Sequence, residues 1–175
     1  MQFKSHILPI LESASGAIYH AANSTLEPLE HLHHKFVRDV GLTSEEAFLK
    51  HNLAPLQLLR NIGMLGVPHK VVLGIAHPEF SNLFPWNLAP HHGHGTRLNQ
   101  RRHSKQLLEL CDGRHSNQLG RSLFALVRVY NLLPQAVVEA ASVHTFQQQL
   151  TKQARDECRL GRAFWSTTFS PRSVR

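Results

Sequence analysis

The stretch from Ser24 to Gly41 has the clearest helical pattern in the chain, and it constrains the fold more than any other feature. Apolar residues recur there every three or four positions, as on one face of an amphipathic helix: Leu26, Leu29, Leu32, Phe36, Val37 and Val40. Ser24 and Glu27 have the spacing of a capping box, and Gly41 is placed to end the helix. The pattern predicts a helix that buries one apolar face against other helices.

Helix signals recur along the rest of the chain. Thr43 and Glu46 have the spacing of a second capping box, and Ser142 precedes apolar residues at helical intervals. Pro68 is predicted to kink or end its helix, because proline has no amide N–H and its ring clashes with the preceding turn. Helical periodicity covers residues 5–22, 44–50, 56–65, 122–133 and 142–150. Since no segment alternates apolar and polar residues as a strand does, the sequence predicts an all-α fold, an irregular helical bundle.

Changes in composition divide the chain into four predicted regions. Residues 1–76 are predicted to be helical, with Leu29, Leu32, Phe36 and Leu59 in the core. Residues 77–104 contain proline, glycine and histidine clusters, which predict an irregular, basic linker. Residues 105–160 are predicted to form a small helical C-terminal region, and residues 161–175 a basic, disordered tail.

Positive charge is concentrated in the second half of the chain. The formal net charge is +7, but residues 1–90 contain six Lys/Arg against seven Asp/Glu, a balance of −1. Residues 91–128 contain seven against two, a balance of +5, and residues 151–175 six against two, a balance of +4. This asymmetry indicates contact with phosphate, because Lys and Arg neutralise backbone charge and release counterions. A solvated basic surface is the alternative interpretation.

The best candidates for phosphate contact lie in and after the linker, since arginine can bind a phosphate through two parallel hydrogen bonds. They are Arg97, Arg101, Arg102, Lys105, Arg114 and Arg121. We expect binding to RNA or DNA backbone to strengthen as the pH falls toward 6, because nearby histidines would gain charge: His91, His92, His94 and His103. Trp165 lies near Arg159 and Arg162 and is a candidate for base stacking, although packing in the core is the favoured interpretation.

The sequence lacks the signatures of catalysis and of cofactor binding. The only aspartates are Asp39, Asp112 and Asp156, so the carboxylate pair that binds magnesium in polymerases is missing. No Gly-rich phosphate loop and no nucleophile elbow are found. Cys111 and Cys158 are too far apart for a CxxC zinc knuckle. We therefore predict no catalytic residue, no cofactor and no small-molecule substrate.

Two histidine clusters are candidates for metal binding. The clusters are His31, His33 and His34, and His91, His92 and His94; solvated or packed histidines are favoured over a metal site.

No apolar run reaches the roughly 20 residues that a membrane span needs, and the N-terminal residues do not resemble a secretory signal. An intracellular protein is predicted, with nucleus and cytoplasm and the oligomeric state left open.

Two groups of short motifs resemble non-LTR retrotransposon polyproteins of the jockey type. The first group comprises ILP at 7–9, AIYH at 17–20, FVR at 36–38, GL at 41–42, NLAPL at 52–56 and RNIGMLG at 60–66. It is similar to the helical, thumb-like region that follows the polymerase palm. The second comprises RSLF at 121–124, VYNLLP at 129–134, VV at 137–138, ASV at 141–143, FQ at 146–147 and Leu150. It is similar to the terminal signature of the same proteins.

The resemblance covers roughly residues 5–150 in the expected order, and its specificity comes from this succession. It implies a C-terminal, non-catalytic fragment of an RNA-directed DNA polymerase, because the fingers and the palm with its aspartates are absent. The ligand that it implies is RNA or an RNA–DNA hybrid. The alternatives are a small helical protein-interaction module and a decayed element fragment with no function.

Overall fold

The computed structural model describes residues 3–13, 15–87, 103–110 and 119–172, and within them it is an all-α protein, as predicted. A π-helical turn at Phe3–Ile7 leads into the first of nine α-helices in the described residues. These are α1 (Leu8–Ser13), α2 (Ser15–Ile18), α3 (Asn23–Asp39), α4 (Ser44–His51), α5 (Leu56–Val72), α6 (Pro78–Leu83), α7 (Ala125–Asn131), α8 (Gln135–Val138) and α9 (Val143–Arg159). A 3-10 helix follows at Trp165–Thr167. Among the described residues, the only β-bridge joins Trp86 to Leu107.

Several helix ends follow the predicted capping chemistry. Thr43 and Glu46 form the reciprocal capping box of α4, and Ser142 Oγ accepts the Thr145 amide hydrogen at the start of α9. Gly41, at φ 73°, follows α3, and the next amide, that of Leu42, donates to the Val37 carbonyl. This is the Schellman arrangement, which satisfies carbonyls at the end of a helix and requires a left-handed residue. These three predictions are confirmed.

The start and the buried face of α3 differ from the prediction. The N-cap is Ala22, whose side chain makes no capping hydrogen bond, so the capping box predicted at Ser24 is wrong. The helix buries Leu26, His33 and Val37, whereas Leu32 is 46% exposed. Residues adjacent on a helix are separated by about 100°, so periodicity alone did not distinguish Leu32 from His33. The predicted burial of Leu32 is therefore wrong.

The three other residues of the expected core are only half-buried. Leu29 and Leu59 are half-buried, and both pack against a small core cluster of the N-terminal helices. Phe36 is also half-buried, and its ring stacks on Phe3 with centroids 3.8 Å apart. The cluster itself consists of Leu8, Val37, Ala47, Leu53 and Leu56. The bundle predicted for these residues thus has a shallow core of its own.

Helix α5 runs through Pro68 without ending and packs against α9. Of the two outcomes predicted at Pro68, a kink or an end, the end is wrong, since the helix continues to Val72. A Cβ at Gly66 would lie 2.8 Å from Nε2 of Gln147 and 3.0 Å from Cγ1 of Val143. Glycine lowers helix stability in isolation, but at this position it permits the close approach of the two helices.

The main core joins helices from both sides of the predicted linker. Its largest fully buried side chains include Phe48 and Leu65 from the first half and Tyr130, Phe146 and Leu150 from the second. The turn after α7 has Leu133 buried and Pro134 exposed, as expected of a packing turn. The division into two helical regions is therefore not reflected in two separate main cores.

The C-terminal segment differs from the predicted disordered tail. Trp165 and Phe169 are buried in the main core, and Trp165 stacks on Phe48 with centroids 5.2 Å apart. Gly161, at φ 65°, reverses the chain after α9 so that this segment packs back. The favoured interpretation of Trp165 as a core residue is confirmed, and its use for base stacking is excluded by its burial.

Candidate nucleic-acid interface

The predicted phosphate-contact residues fall into two groups. Arg97, Arg101, Arg102 and Arg114 lie outside the described residues, as do His91, His92 and His94 of the second histidine cluster. Lys105 and Arg121 are described, and both are half-buried. Of the six predicted phosphate contacts, the structure therefore describes these two.

Lys105 is bound to the protein itself. Its Nζ donates to the Val138 carbonyl at 3.4 Å, near the C-terminal end of α8. A cation at this end of a helix interacts favourably with the helix dipole and with carbonyls that lack an intrahelical partner. Its amide donates to Nδ1 of His103 at 3.2 Å. Lys105 thus fastens the segment 103–110 to α8.

His103 is buried, contrary to the expectation that it gains charge near pH 6. Its Nε2 lies 3.0 Å from the Tyr130 carbonyl, and its ring meets the Tyr130 ring edge-on. Burial lowers the pKa of His103, because it disfavours the charged imidazolium, and this outweighs the hydrogen bond to Tyr130. This direction opposes the expected gain of charge at His103 near pH 6.

A groove with a volume of about 670 Å³ lies between α9, in the basic second half of the chain, and α5, in the first half. Lys152, Arg155 and Arg159 of α9 line it at intervals of three and four residues, so they share one side of the helix. From the first to the last, this side extends about 10 Å along the helix axis. The groove is also lined by polar residues of α9: His144, Gln147, Gln148 and Thr151.

The charges in this groove are partly compensated. Glu12 and Asp156 also line it, which leaves three cationic against two acidic side chains, a balance of +1. Arg159 Nη1 lies 3.4 Å from Asp156 Oδ1 in an exposed ion pair. Arg155 binds Asn52 Oδ1 and lies 5.3 Å from the centroid of the Phe48 ring. Lys152 and Arg159 are exposed, so these two are the most accessible cations of the groove.

A second concave site, which we call the arginine pocket, has a volume of about 280 Å³. Its lining includes Tyr19, Asn23, Glu30, Arg60, Asn61 and Arg172. Arg60 binds Glu30 through Nη2, and the Tyr19 hydroxyl donates to Asn61 Oδ1 at 3.1 Å. Arg60 and Asn61 are each 4% exposed.

Arg172 connects the C-terminal segment to the arginine pocket. Its Nη2 donates to the carbonyls of Tyr19 at 2.8 Å and Ala21 at 3.0 Å, and its Nη1 binds Asn23 Oδ1. Burial lowers the pKa of Arg172, and the positive charges of Arg121 and Arg60 lower it further, against the raising effect of Tyr19. The positive charge of Arg121 therefore acts on Arg172, which lines the pocket.

No pattern in the sequence indicated the arginine pocket. Its parts come from positions up to 153 residues apart, as in the hydrogen bond between Tyr19 and Arg172. Arg60 and Asn61 occupy a mostly apolar helix, where periodicity counts only the hydrophobic residues. Such a site is found only from the fold.

Metal-binding and membrane-spanning features are both unrepresented in the part of the chain that the structure describes. No group of three or more His, Cys, Asp or Glu side chains is arranged there to hold a metal ion. In the first histidine cluster, His33 is buried while His31 and His34 are exposed. No helix among the described residues has the length and apolar character to cross a membrane.

Comparison with known proteins found no matching family model, no matching curated protein and no matching solved structure.

Proposed function

We propose that the chain is a non-catalytic, RNA- or RNA–DNA-binding module related to the C-terminal region of a jockey-type reverse transcriptase. The observation that carries the proposal is the groove along α9, where Lys152, Arg155 and Arg159 occupy one side of a helix. Contacts of this kind bind backbone phosphates and position a protein without reading bases. The motif succession described above supports the family assignment and the nature of the ligand.

The basic linker extends the same interaction. Arg97, Arg101 and Arg102 add positive charge to the same half of the chain as α9. Because non-specific binding is mainly electrostatic, we expect a Kd of about 10⁻⁴–10⁻⁶ M at physiological salt, little affected by base sequence. We expect His91, His92 and His94 to strengthen binding at lower pH.

Fluorescence anisotropy with a labelled oligonucleotide at several salt concentrations tests the groove. The double variant K152E/R159E should weaken binding and reduce the salt slope by about 1.5, since each phosphate contact contributes about 0.7–0.9 to it. The matched control is K35E/R38E, which makes the same charge change on exposed positions of α3. Equal losses in both variants would indicate a diffuse charge effect and contradict an interface along α9.

The same assay applied to R101E/R102E tests the linker. We expect unrelated sequences to lose affinity about equally and the salt dependence to flatten. Primer extension on a homopolymer template with magnesium or manganese should give no product, because the carboxylate pair is missing. Extension that depends on the protein would overturn the non-catalytic assignment.

A second function, binding of a partner helix, is favoured by the exposed apolar residues of α3. Leu32 is 46% exposed and Val40 is 50% exposed, and the half-buried Leu29 and Phe36 lie between and beside them on the predicted apolar stripe. An amphipathic helix presented to this stripe would cover them. Binding to an oligonucleotide that K152E/R159E and added salt leave unchanged would remove the electrostatic account and favour this function.

A further inference from the structure

Two buried hydrogen-bond donors in the arginine pocket have no acceptor among the described residues. Arg60 Nη1 and Asn61 Nδ2 are both inaccessible to solvent and unpartnered, although their residues line the pocket. Buried polar groups in proteins are nearly always hydrogen-bonded, and each one left unsatisfied lowers stability. Two spare donors on consecutive residues that line one pocket therefore indicate a site for an acceptor.

The other contacts of these two residues orient the spare donors. Nη2 of Arg60 is occupied by Glu30, so Nη1 is the part of the guanidinium that remains available. The Tyr19 hydroxyl donates to Oδ1 of Asn61, so the amide nitrogen is the part of Asn61 that remains available. Both residues belong to α5, which supports them on a rigid element.

The charge of the pocket suits an oxyanion more than a cation. Among the lining residues, Arg60 and Arg172 are balanced by Glu27 and Glu30, and Arg121 lies close enough to act on Arg172. Glu30 and Arg60 neutralise each other, and Glu27 is exposed on α3, so the remaining positive charge of the lining comes from Arg172. The interior of the pocket thus combines positive charge with unpaired N–H groups.

We propose that the arginine pocket binds an oxyanion group, a carboxylate or a phosphate, through Arg60 Nη1 and Asn61 Nδ2. Arginine binds both groups through parallel N–H donors, and an amide N–H adds a further donor. The volume of about 280 Å³ lies just below the usual range for small-molecule sites, so the occupant is a small molecule or the end of a chain. This partner was not predicted from the sequence, and the site is separate from the groove along α9.

Thermal unfolding of the full chain with inorganic phosphate or with acetate tests the proposal, each measured against sodium chloride at equal ionic strength. We expect one or both anions to raise the Tm above the chloride value in a saturable manner. A response to phosphate alone identifies a phosphate site, and a response to acetate alone identifies a carboxylate site. A Tm that follows ionic strength only, with no heat of binding in titration calorimetry, would overturn the proposal.

The variant N61D distinguishes directed binding from general anion effects. Its carboxylate retains an acceptor for the Tyr19 hydroxyl but replaces the spare donor by negative charge, and we expect the anion affinity to fall at least about tenfold. The matched control N82D makes the same change at an exposed position of α6 and should leave the affinity unchanged. Equal anion responses in the wild type and N61D would contradict the site. Because K152E/R159E should retain anion binding and N61D should retain oligonucleotide binding, failure of either proposal leaves the other measurable.

Discussion

The buried polar side chains around Tyr130 differ from the buried His33 of the N-terminal helices. In the main core, Tyr130 lies between two buried histidines: His69 Nδ1 is 3.1 Å from its hydroxyl, and His103 Nε2 is 3.0 Å from its carbonyl. The other ring nitrogen of His69 lies 3.1 Å from the Ala140 carbonyl. In the N-terminal helices, by contrast, both ring nitrogens of His33 lack a partner within the described part of the chain, although the residue is only 2% exposed.

The buried amide of Asn131 is likewise satisfied, whereas the buried guanidinium of Arg60 is not fully satisfied. The amide of Asn131 forms two hydrogen bonds with the backbone of Leu107, at 2.8 and 3.0 Å, and so attaches the segment 103–110 to α7. Arg60 and Asn61 instead each retain a donor without an acceptor. A satisfied network fixes one arrangement of the core, whereas unsatisfied groups mark strain or the place of a missing partner. We therefore expect the two parts to respond differently to substitution and pH.

The largest expected difference is between two phenylalanines. Phe146 is fully buried and stacks on His69 with centroids 4.0 Å apart, so F146A should lower the free energy of unfolding by about 3–5 kcal/mol. Phe36 is half-buried, so F36A should lower it by only about 1–2 kcal/mol. Urea unfolding of both variants checks this. Equal losses would show that the shallow N-terminal cluster is as important for stability as the main core.

The next effect concerns His69. H69L should lower the free energy of unfolding by about 2–4 kcal/mol, because it leaves both the Tyr130 hydroxyl and the Ala140 carbonyl without a partner, at about 1–3 kcal/mol each. Y130F removes the hydroxyl alone and should cost less. A double-mutant cycle of the two substitutions isolates the hydrogen bond between them. Simple additivity would contradict the network described here.

A pH effect should distinguish His33 from exposed histidines. Burial, together with the nearby charge of His34, lowers the pKa of His33 from 6.5 to about 4. The unfolded chain therefore takes up this proton first, and stability that is complete above pH 6.5 is lost as the pH falls toward 4. Between pH 7 and pH 5 the loss amounts to about 2 kcal/mol, at about 1.36 kcal/mol per unit of pKa difference.

Unfolding of H33L at the two pH values measures this contribution. Leucine cannot be protonated and leaves no polar atom unsatisfied, so the variant should lack that part of the pH dependence. The control H31L, at an exposed position of the same helix, should behave like the wild type. A pH dependence unchanged in H33L would contradict the burial of a neutral imidazole.

The features that were predicted correctly depend on residues close in sequence. The capping box of Thr43 and Glu46, the cap at Ser142 and the left-handed Gly41 each need only one helix terminus. The prediction failed where distant contacts decide, as at Pro68, where α5 continues through the proline. The predicted disordered tail is a further case, because Trp165 in that segment packs on Phe48, 117 positions away in the chain.

The candidate sites show the same limit. Charge counting located the basic half of the chain, which contains the groove cations Lys152 and Arg159, but four of the six named phosphate contacts lie outside the described residues. It also counted Lys105 as a phosphate contact, although its ammonium group binds the Val138 carbonyl. The arginine pocket depends on hydrogen bonds between residues 30 to 153 positions apart, which no local pattern records.

The smallest expected effect is that of L32S on α3. Serine at this half-exposed position loses little apolar burial, and surface substitutions usually change stability by less than about 0.5 kcal/mol. The control L26A removes a buried side chain of the same helix and should cost about 2–5 kcal/mol. Chemical unfolding of the two variants therefore establishes which side of α3 contacts the core. If L32S were as destabilising as L26A, the helix would be rotated as the sequence predicted, and His33 would lie at the surface with its nitrogens accessible to water.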